Sequence, residues 1–465
     1  MKINIQEQLD RAIELIKRAQ GNDLNVAEDI VNGLLNQERE SPAILAVLGT
    51  VYIRKHYYAL ARYVLELAGE IYPNDPLIWN NLGFIYKREG RLEEARKAHE
   101  KAHAISPNDP DILVNLGGIH AANGTPEKAI EYLDKCIALD ANNPHAIYNR
   151  GLAYLEQGNY ALGFEGYDAG IRTTDRQERT YSNKPKWDGK KGQTIVVYGE
   201  QGIGDEIMFA SMLPDVMKDC TVILDAHPRL YEIFRHSFPD ICIYGTRKDE
   251  HLNWPSYHAI DARIAIGTLG RFYRKQASDF PGAPYLKADP IIAEKYRQKL
   301  ARMSQRMKIG ISWRGGIKQT NGAERVIPLE QWLPLFQSVD ADFISLQYDE
   351  DAAEVIAEFT KKHGIVLHHW QGVVDDYDET AGLVSQLNMV ISVPQSVVHL
   401  AGALGTPTIQ LTPKRALWQM GVYGENMPWY SCVKNIWQDD TRSWEPVIQQ
   451  AKDDVCNLYQ MNMCA

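Results

Sequence analysis

Residues 76–109 read PLIWNNLGFIYKREGRLEEARKAHEKAHAISPND. The proline that opens this stretch is one of four, at 42, 76, 110 and 144, each 34 residues from the next. Within the stretch stand Trp79, Leu82, Gly83, Tyr86, Gly90, Ala95, Ala102 and Pro107. Corresponding positions recur as Leu48-Gly49-Tyr52, Leu116-Gly117 and Gly151-Tyr154. Glycine and alanine recur where paired helices approach too closely for larger side chains. Residues 5–38 read as a degenerate leading unit, which suits a cap on a stacked array.

A strict 34-residue period with these residues is the signature of the tetratricopeptide repeat. Asn81, Asn115 and Asn149 follow the same period, at a phase that faces the concave side of such an array. An asparagine amide offers a donor and an acceptor together, so a ladder of them suits the backbone of an extended peptide. Asparagine is also simply common at this position. The ladder resembles that of protein O-GlcNAc transferase, which likewise joins such repeats to a sugar-transfer module. Tyr148 and His145 are the side chains placed to add contacts.

Composition sets the outer limits. The 465 residues suffice for two or three domains, with 45% hydrophobic and 24% charged residues. A net charge of -10 excludes a global basic field for nucleic acid. No stretch approaches the roughly 18 apolar residues of a membrane span. The opening MKINIQEQLDRAIELIKRAQ lacks the apolar core of a signal peptide. Cys136, Cys220, Cys242, Cys432, Cys456 and Cys464 are scattered and form no C-x-x-C pair. A reducing cytoplasm is the expected location.

After Phe164 the period fades, and residues 173–193 read as a polar linker. Short β-branched runs then alternate with helical segments. QTIVVYG, TVILDA, ICIYG and YHAIDA form one series; KIGISW, DFISLQ, NMVISV and PTIQLT form a second, with a break near 290–306. Strand–helix alternation predicts parallel sheets with helices on both faces, and hence two Rossmann-like halves facing a cleft. Ligands in such sheets bind beyond the carboxyl ends of the strands.

Three strand-end loops carry candidate chemistry. GEQGIGDE, residues 199–206, supplies Gly202, Gly204 and Asp205. Asp205 stands where it either caps the next helix or serves as a general base. SWRGGIKQTNGAERVIPL, residues 312–329, supplies Trp313, Arg314, Lys318 and Arg325, cations suited to a diphosphate leaving group or to a solvated loop. ISVPQSVVHLAGALGTP, residues 391–407, supplies Gln395, Ser396 and His399 at a helix start, where free amides favour anions. A lone histidine there is ordinarily structural. Lys414 and Arg415 follow the next strand. The D-x-D matches at Asp340–Asp342 and Asp376–Asp378 read as chance, the second as a helix cap. Trp418, Trp429, Trp437 and Trp444 read mainly as core.

The three loops in this order, with FISLQ and MPWY, resemble glycosyltransferase family 9, the group that holds the heptosyltransferases of lipopolysaccharide synthesis. The resemblance is closest to tetratricopeptide proteins carrying such a module and covers nearly the whole chain. It implies a GT-B fold, a nucleotide-sugar donor and inverting transfer, with no catalytic metal or cofactor. Asp205 matches the family's proposed base, and Ser396, His399 and Gly402 match its phosphate-side helix. The family's V-D-T-S is here Val393-Pro394-Gln395-Ser396, so the aspartate thought to contact the donor sugar is a proline.

The expected architecture is an all-α repeat superhelix over 1–180, an acceptor-side half over 181–300 and a nucleotide-sugar half over 301–465. The expected donor contacts are Gly202, Gly204, Trp313, Arg314, Lys318, Arg325, Gln347, Gln395, Ser396, His399 and Lys414. A protein or peptide acceptor is expected on Asn81, Asn115, Asn149 and Tyr148. The rival expectation is a repeat scaffold whose sugar-transfer module is inactive or only senses a nucleotide. Repeat arrays often self-associate, so a homo-oligomer is among the expected assemblies.

Overall fold

The computed structural model describes residues 4–38, 41–173, 175–181, 183–247, 259–316, 322–415, 417–422, 424 and 426–463. The chain divides into two compact units, Met1–Ala153 and Tyr154–Ala465.

The first unit is a stack of helix pairs. Its helices are α1 (Ile5–Arg18), α2 (Asp23–Leu35), α3 (Pro42–Arg54), α4 (Tyr58–Ile71), α5 (Pro76–Arg88), α6 (Leu92–Ile105), α7 (Pro110–Ala122), α8 (Pro126–Leu139) and α9 (Pro144–Glu156), the last crossing the division. Each periodic proline occupies the first helical position, where its missing N–H costs nothing. Asp75 and Asp109 cap α5 and α7 by accepting from backbone amides. Gly90 and Gly124 turn the chain between paired helices at φ of +79° and +71°. A Cβ on Gly49, Gly83 or Gly117 would lie 2.5 Å from Leu65, His99 or Leu133 respectively. The period is thus a packing rule: a bare backbone on the first helix admits a large side chain from the second.

The second unit begins with α10 (Tyr160–Tyr167), although the sequence assigns residues up to 180 to the repeats. The aromatic rings explain the difference. Phe164 occupies the space over Gly270, where a Cβ would lie 2.3 Å away. Phe164 and Tyr167 pack edge-on against Trp418, which neighbours Phe209 and Trp429. The described part of the stretch read as a polar linker is also held in place. Arg176 is buried against Glu200, the Tyr181 hydroxyl donates to Asp225 at 2.6 Å, and the Trp187 amide donates to the Arg263 carbonyl.

Two sheets follow. The first holds β1 (Thr194–Tyr198), β2 (Thr221–Asp225), β3 (Cys242–Tyr244) and β4 (Ala262–Ala265) in the order β3-β2-β1-β4, all parallel. The second holds β5 (Met307–Ser312), β6 (Ala341–Ser345), β7 (Leu367–His368), β8 (Met389–Ser392), β9 (Thr408–Thr412), β10 (Asn426–Met427) and β11 (Tyr430–Trp437). Its order is β10-β11-β9-β8-β5-β6-β7, parallel except for the β10 edge. Successive residues feed opposite faces: Phe343 and Ile391 join one apolar cluster, Ile344 and Val390 the other. Both faces are therefore covered, as parallel sheets require. The expected break near 290–306 is largely a helix, Pro290–Ala301, capped by Asp289.

Candidate active site

The first loop runs from the end of β1 into α11 (Ile203–Ala210), with Gly202 as its N-cap residue. The loop and the first turn of α11 carry three carboxyl groups with three different fates. Glu200 is fully buried and paired with Arg176 at 2.8 Å; Arg176 also donates to Thr268 and to the Tyr167 carbonyl. Glu206 folds under Gly199, where a Cβ would collide with its carboxyl group at 2.3 Å. It accepts from the His227 amide and lies 3.4 Å from the Arg247 guanidinium. Burial nevertheless pushes its pKa up to about 8.

Asp205 is the third. It is half-buried at the third position of α11, and its Oδ1 accepts from Gln419 Nε2 at 2.9 Å. Burial raises its pKa, the Gln419 bond opposing that shift and the Glu200 charge adding to it. A carboxyl group so placed accepts a proton more readily than an exposed aspartate at the same pH.

Facing it is the helix Ser396–Leu404, which starts after β8. A Cβ on Gly204 would lie 3.2 Å from His399 Cδ2 and 3.3 Å from Ser396 Cα. The glycine therefore brings the first turns of two helices together, with free amides and positive dipole ends on both sides. Ser396 Oγ accepts from the Tyr377 hydroxyl at 2.5 Å, and the Tyr377 ring lies under the Arg229 guanidinium. His399 is buried and its pKa lowered to about 4 by that burial, so the ring is neutral at pH 7. Its Nδ1 meets the Tyr430 hydroxyl at 3.2 Å, which meets Tyr285, which donates to the Ile207 carbonyl of α11. His399 thus ties the two helices together.

Structure brings Asp205, Gly202, Gly204, Ser396 and His399 into one place. Arg325 belongs with them: it is buried, donates to the Pro394 carbonyl at 3.2 Å and feels the Asp205 charge. Gln395 is buried beside Ser312 and Ser392, with its Oε1 lacking a partner. A candidate anion cradle needs such nearby donors and cations, and this arrangement provides them.

Other expected contacts are committed elsewhere. Gln347 Oε1 accepts from Ser312 Oγ and from the amides of Trp313 and Arg314, and its Nε2 returns to the Arg314 carbonyl. Its amide ties down the end of β5 and is not presented to a ligand. Trp313 is core, 2% exposed. Arg314 pairs with Asp349 and Asp351, and Lys414 with Asp440 at 3.0 Å. Lys318 lies outside the described residues.

In the repeats, Asn81 donates to Thr50 at 3.0 Å and Asn115 to Asn80 at 2.9 Å. Part of each amide therefore serves the preceding repeat. Asn149 is half-buried on α9. Tyr148 is buried, which removes its ring from the expected acceptor contacts. Gln419, Arg247 and Tyr377 went unmarked in the sequence. Tyr377 lies inside the D-x-D match, whose Asp376 caps the helix Tyr377–Val384 as expected.

A family model described as tetratricopeptide repeat matches residues 75–142. Protein FlbA of Caulobacter vibrioides is 27% identical over 321 residues, which is 63% of this chain and 52% of that protein. The chain thus spans about half the length of the curated relative it matches. Among solved structures, MamA of Desulfovibrio magneticus RS-1 is 17% identical over 38% of this chain and 99% of that one, with a TM-score of 0.31. TTC0263, a thermophilic TPR protein of Thermus thermophilus, is 18% identical over 37% and 91%, with a TM-score of 0.32. The chain carries tetratricopeptide repeats, followed by a region of parallel and mixed sheets. Among the described residues no helix is long and apolar enough to cross a membrane.

Proposed function

We propose that the chain is an inverting, metal-independent glycosyltransferase whose two sheet-bearing halves form a GT-B module. One observation carries this reading: the Asp205 carboxylate sits beside the point where α11 meets the amide-rich start of the Ser396–Leu404 helix, with Arg325 close by. A base next to an anion cradle is what transfer from a nucleotide-sugar demands.

On this reading Asp205 takes the proton of an acceptor hydroxyl. The oxygen attacks the anomeric carbon from the face opposite the diphosphate. The bond from that carbon to the diphosphate oxygen breaks, and the nucleoside diphosphate leaves with the electron pair. Helix amides, Ser396 and Arg325 stabilise the departing charge. Neutral His399 holds the helices at the required approach. The acceptor is a protein or peptide held by the repeats, whose half-buried Asn81, Asn115 and Asn149 lie on the first helices of successive pairs.

A thermal-shift panel of UDP-, GDP-, ADP- and CMP-sugars, coupled to donor hydrolysis, tests the reading. Stabilisation by one nucleotide, with hydrolysis lost in Asp205→Asn while binding survives, is the expected result. Full turnover in that variant removes the catalytic assignment.

The second reading is a tetratricopeptide scaffold with an inactive or nucleotide-sensing module. Pro394 and the internal pairing of Arg314 and Gln347 favour it, since each withdraws a side chain from the donor. Indifference to every nucleotide in the panel selects this alternative.

A further inference from the structure

A cavity of about 250 Å³ lies at the end of α11 remote from Asp205. Ser211, the residue that closes α11, is in its wall. Six residues along the helix put Ser211 about 9 Å from Asp205 at 1.5 Å rise per residue, so this cavity is separate from the site around the carboxylate.

Pro214, Phe280, Pro281, Pro284, Tyr285 and Trp429 form its apolar wall. The prolines hold their backbone at a fixed φ, which keeps the wall from folding inward. Trp429 packs edge-on against Phe280 with ring centroids 4.8 Å apart, and the Tyr285 hydroxyl is spent on the Ile207 carbonyl. The space is therefore preformed, and a ligand is spared the cost of opening it. A cavity of about 150 Å³ holds benzene, whereas drug-sized ligands need about 300 Å³ or more. The size suits one ring or a short acyl chain and is too small for a nucleotide-sugar.

The polar side of the wall says what kind of head group fits. Arg274 is 2% exposed. Its Nη1 donates to Asp215 Oδ2 at 2.9 Å and to the Tyr273 carbonyl at 2.8 Å, and its Nη2 donates to the Ser211 carbonyl at 3.0 Å. Arg274 Nε has no hydrogen-bond partner, and neither has Ser211 Oγ. Buried donors left unmade are costly, so these two call for an acceptor oxygen. Lys218 also pairs with Asp215, at 3.2 Å, so two cations share that one carboxylate. The local excess of positive charge favours an anion.

We propose that this cavity binds a small apolar carboxylate, an aromatic or short acyl acid. Its ring or chain fills the space between the prolines and the aromatic rings, and its carboxylate accepts from Ser211 Oγ and Arg274 Nε, beside Lys218. This inference is independent of any sugar-transfer activity.

The test is fluorine NMR of para-fluorobenzoate with the full chain, with hexanoate as competitor and para-fluorobenzyl alcohol as the neutral control. The wild-type chain broadens the fluorobenzoate line with a Kd of about 1 mM or below. Hexanoate displaces it, and the alcohol binds about tenfold more weakly or worse. Ala283 also lines the cavity, and Ala283→Trp fills it and removes binding, with circular dichroism melting to show that the variant folds. Ser211→Ala weakens binding by about fivefold. A wild-type chain that leaves the line sharp overturns the proposal, as does full binding by Ala283→Trp. Unchanged binding by Ser211→Ala overturns it even where the tryptophan variant does not fold. Equal binding of the alcohol overturns the carboxylate head.

Discussion

The Gln419 side-chain amide donates to Asp205 Oδ1 at 2.9 Å across 214 residues of sequence, joining the two sheet-bearing halves at the carboxylate. Gln419 Oε1 is buried without a partner. The amide therefore fixes one oxygen of the carboxylate and holds an unused acceptor beside it. In Gln419→Leu the burial that raises the Asp205 pKa is no longer opposed by this bond. On the proposed reading Asp205 is a base that acts only when deprotonated, so the acid limb of the pH–rate profile moves to higher pH. The bond removed is one to a charged group, worth about 1.5–3 kcal/mol. An unchanged profile would show that Gln419 does not position the proposed base. Carboxyl-carbon NMR of Asp205 reads the same shift even without turnover.

The Glu200–Arg176 pair makes a second, thermodynamic prediction. Both side chains are fully buried, and Glu200 Oε2 has no partner. Arg176→Met leaves a buried carboxylate without its cation and destabilises the second unit by about 3–5 kcal/mol. Adding Glu200→Leu recovers most of that loss, because two apolar groups then replace two charges. Urea denaturation of the single and double variants decides it; additive losses would refute the coupling.

The same residues set where the chain can be cut. A fragment beginning at 154 keeps Phe164, Tyr167 and Arg176, whereas one beginning at 181 loses all three. The first is expected to melt cooperatively, the second to aggregate or melt many degrees lower, since one large buried aromatic alone is worth about 3–5 kcal/mol. Equal stability of the two fragments would contradict the packing over Gly270.

How far the sequence could carry these conclusions depended on whether a residue's role repeats or is unique. Gly49, Gly83 and Gly117 answer one packing demand three times, so the helix pairs were legible. Asp205 and Ser396 were legible because both stand where a strand ends and a helix begins. Gln347 and Arg314 stand at similar strand ends, yet partners that only the fold brings close consume them. Gln419 carried no local sign, since its significance lies in a carboxylate from the other half. Residues 173–193 look like a linker by composition, but Arg176 and Tyr181 find buried carboxylates there.

His99 breaks the repeat in a way that stability measurements can read. Leu65 and Leu133 fill the equivalent sites over Gly49 and Gly117, whereas His99 fills the site over Gly83. Its Nδ1 meets Asn80 Oδ1 at 3.0 Å, and the same oxygen accepts from Asn115. Burial lowers the His99 pKa from 6.5 to about 3. The unfolded chain therefore binds the proton first, and the stability tied to the neutral ring is complete above about 6.5 and lost as pH falls toward about 3. In His99→Leu the apolar packing of the neighbouring repeats is restored while Asn80 keeps the Asn115 donor. The variant should melt higher than wild type, and more so at pH 5 than at pH 8. A melting temperature that falls, or a gain that does not grow on acidification, would mean that the Asn80–His99 contact outweighs the burial it costs.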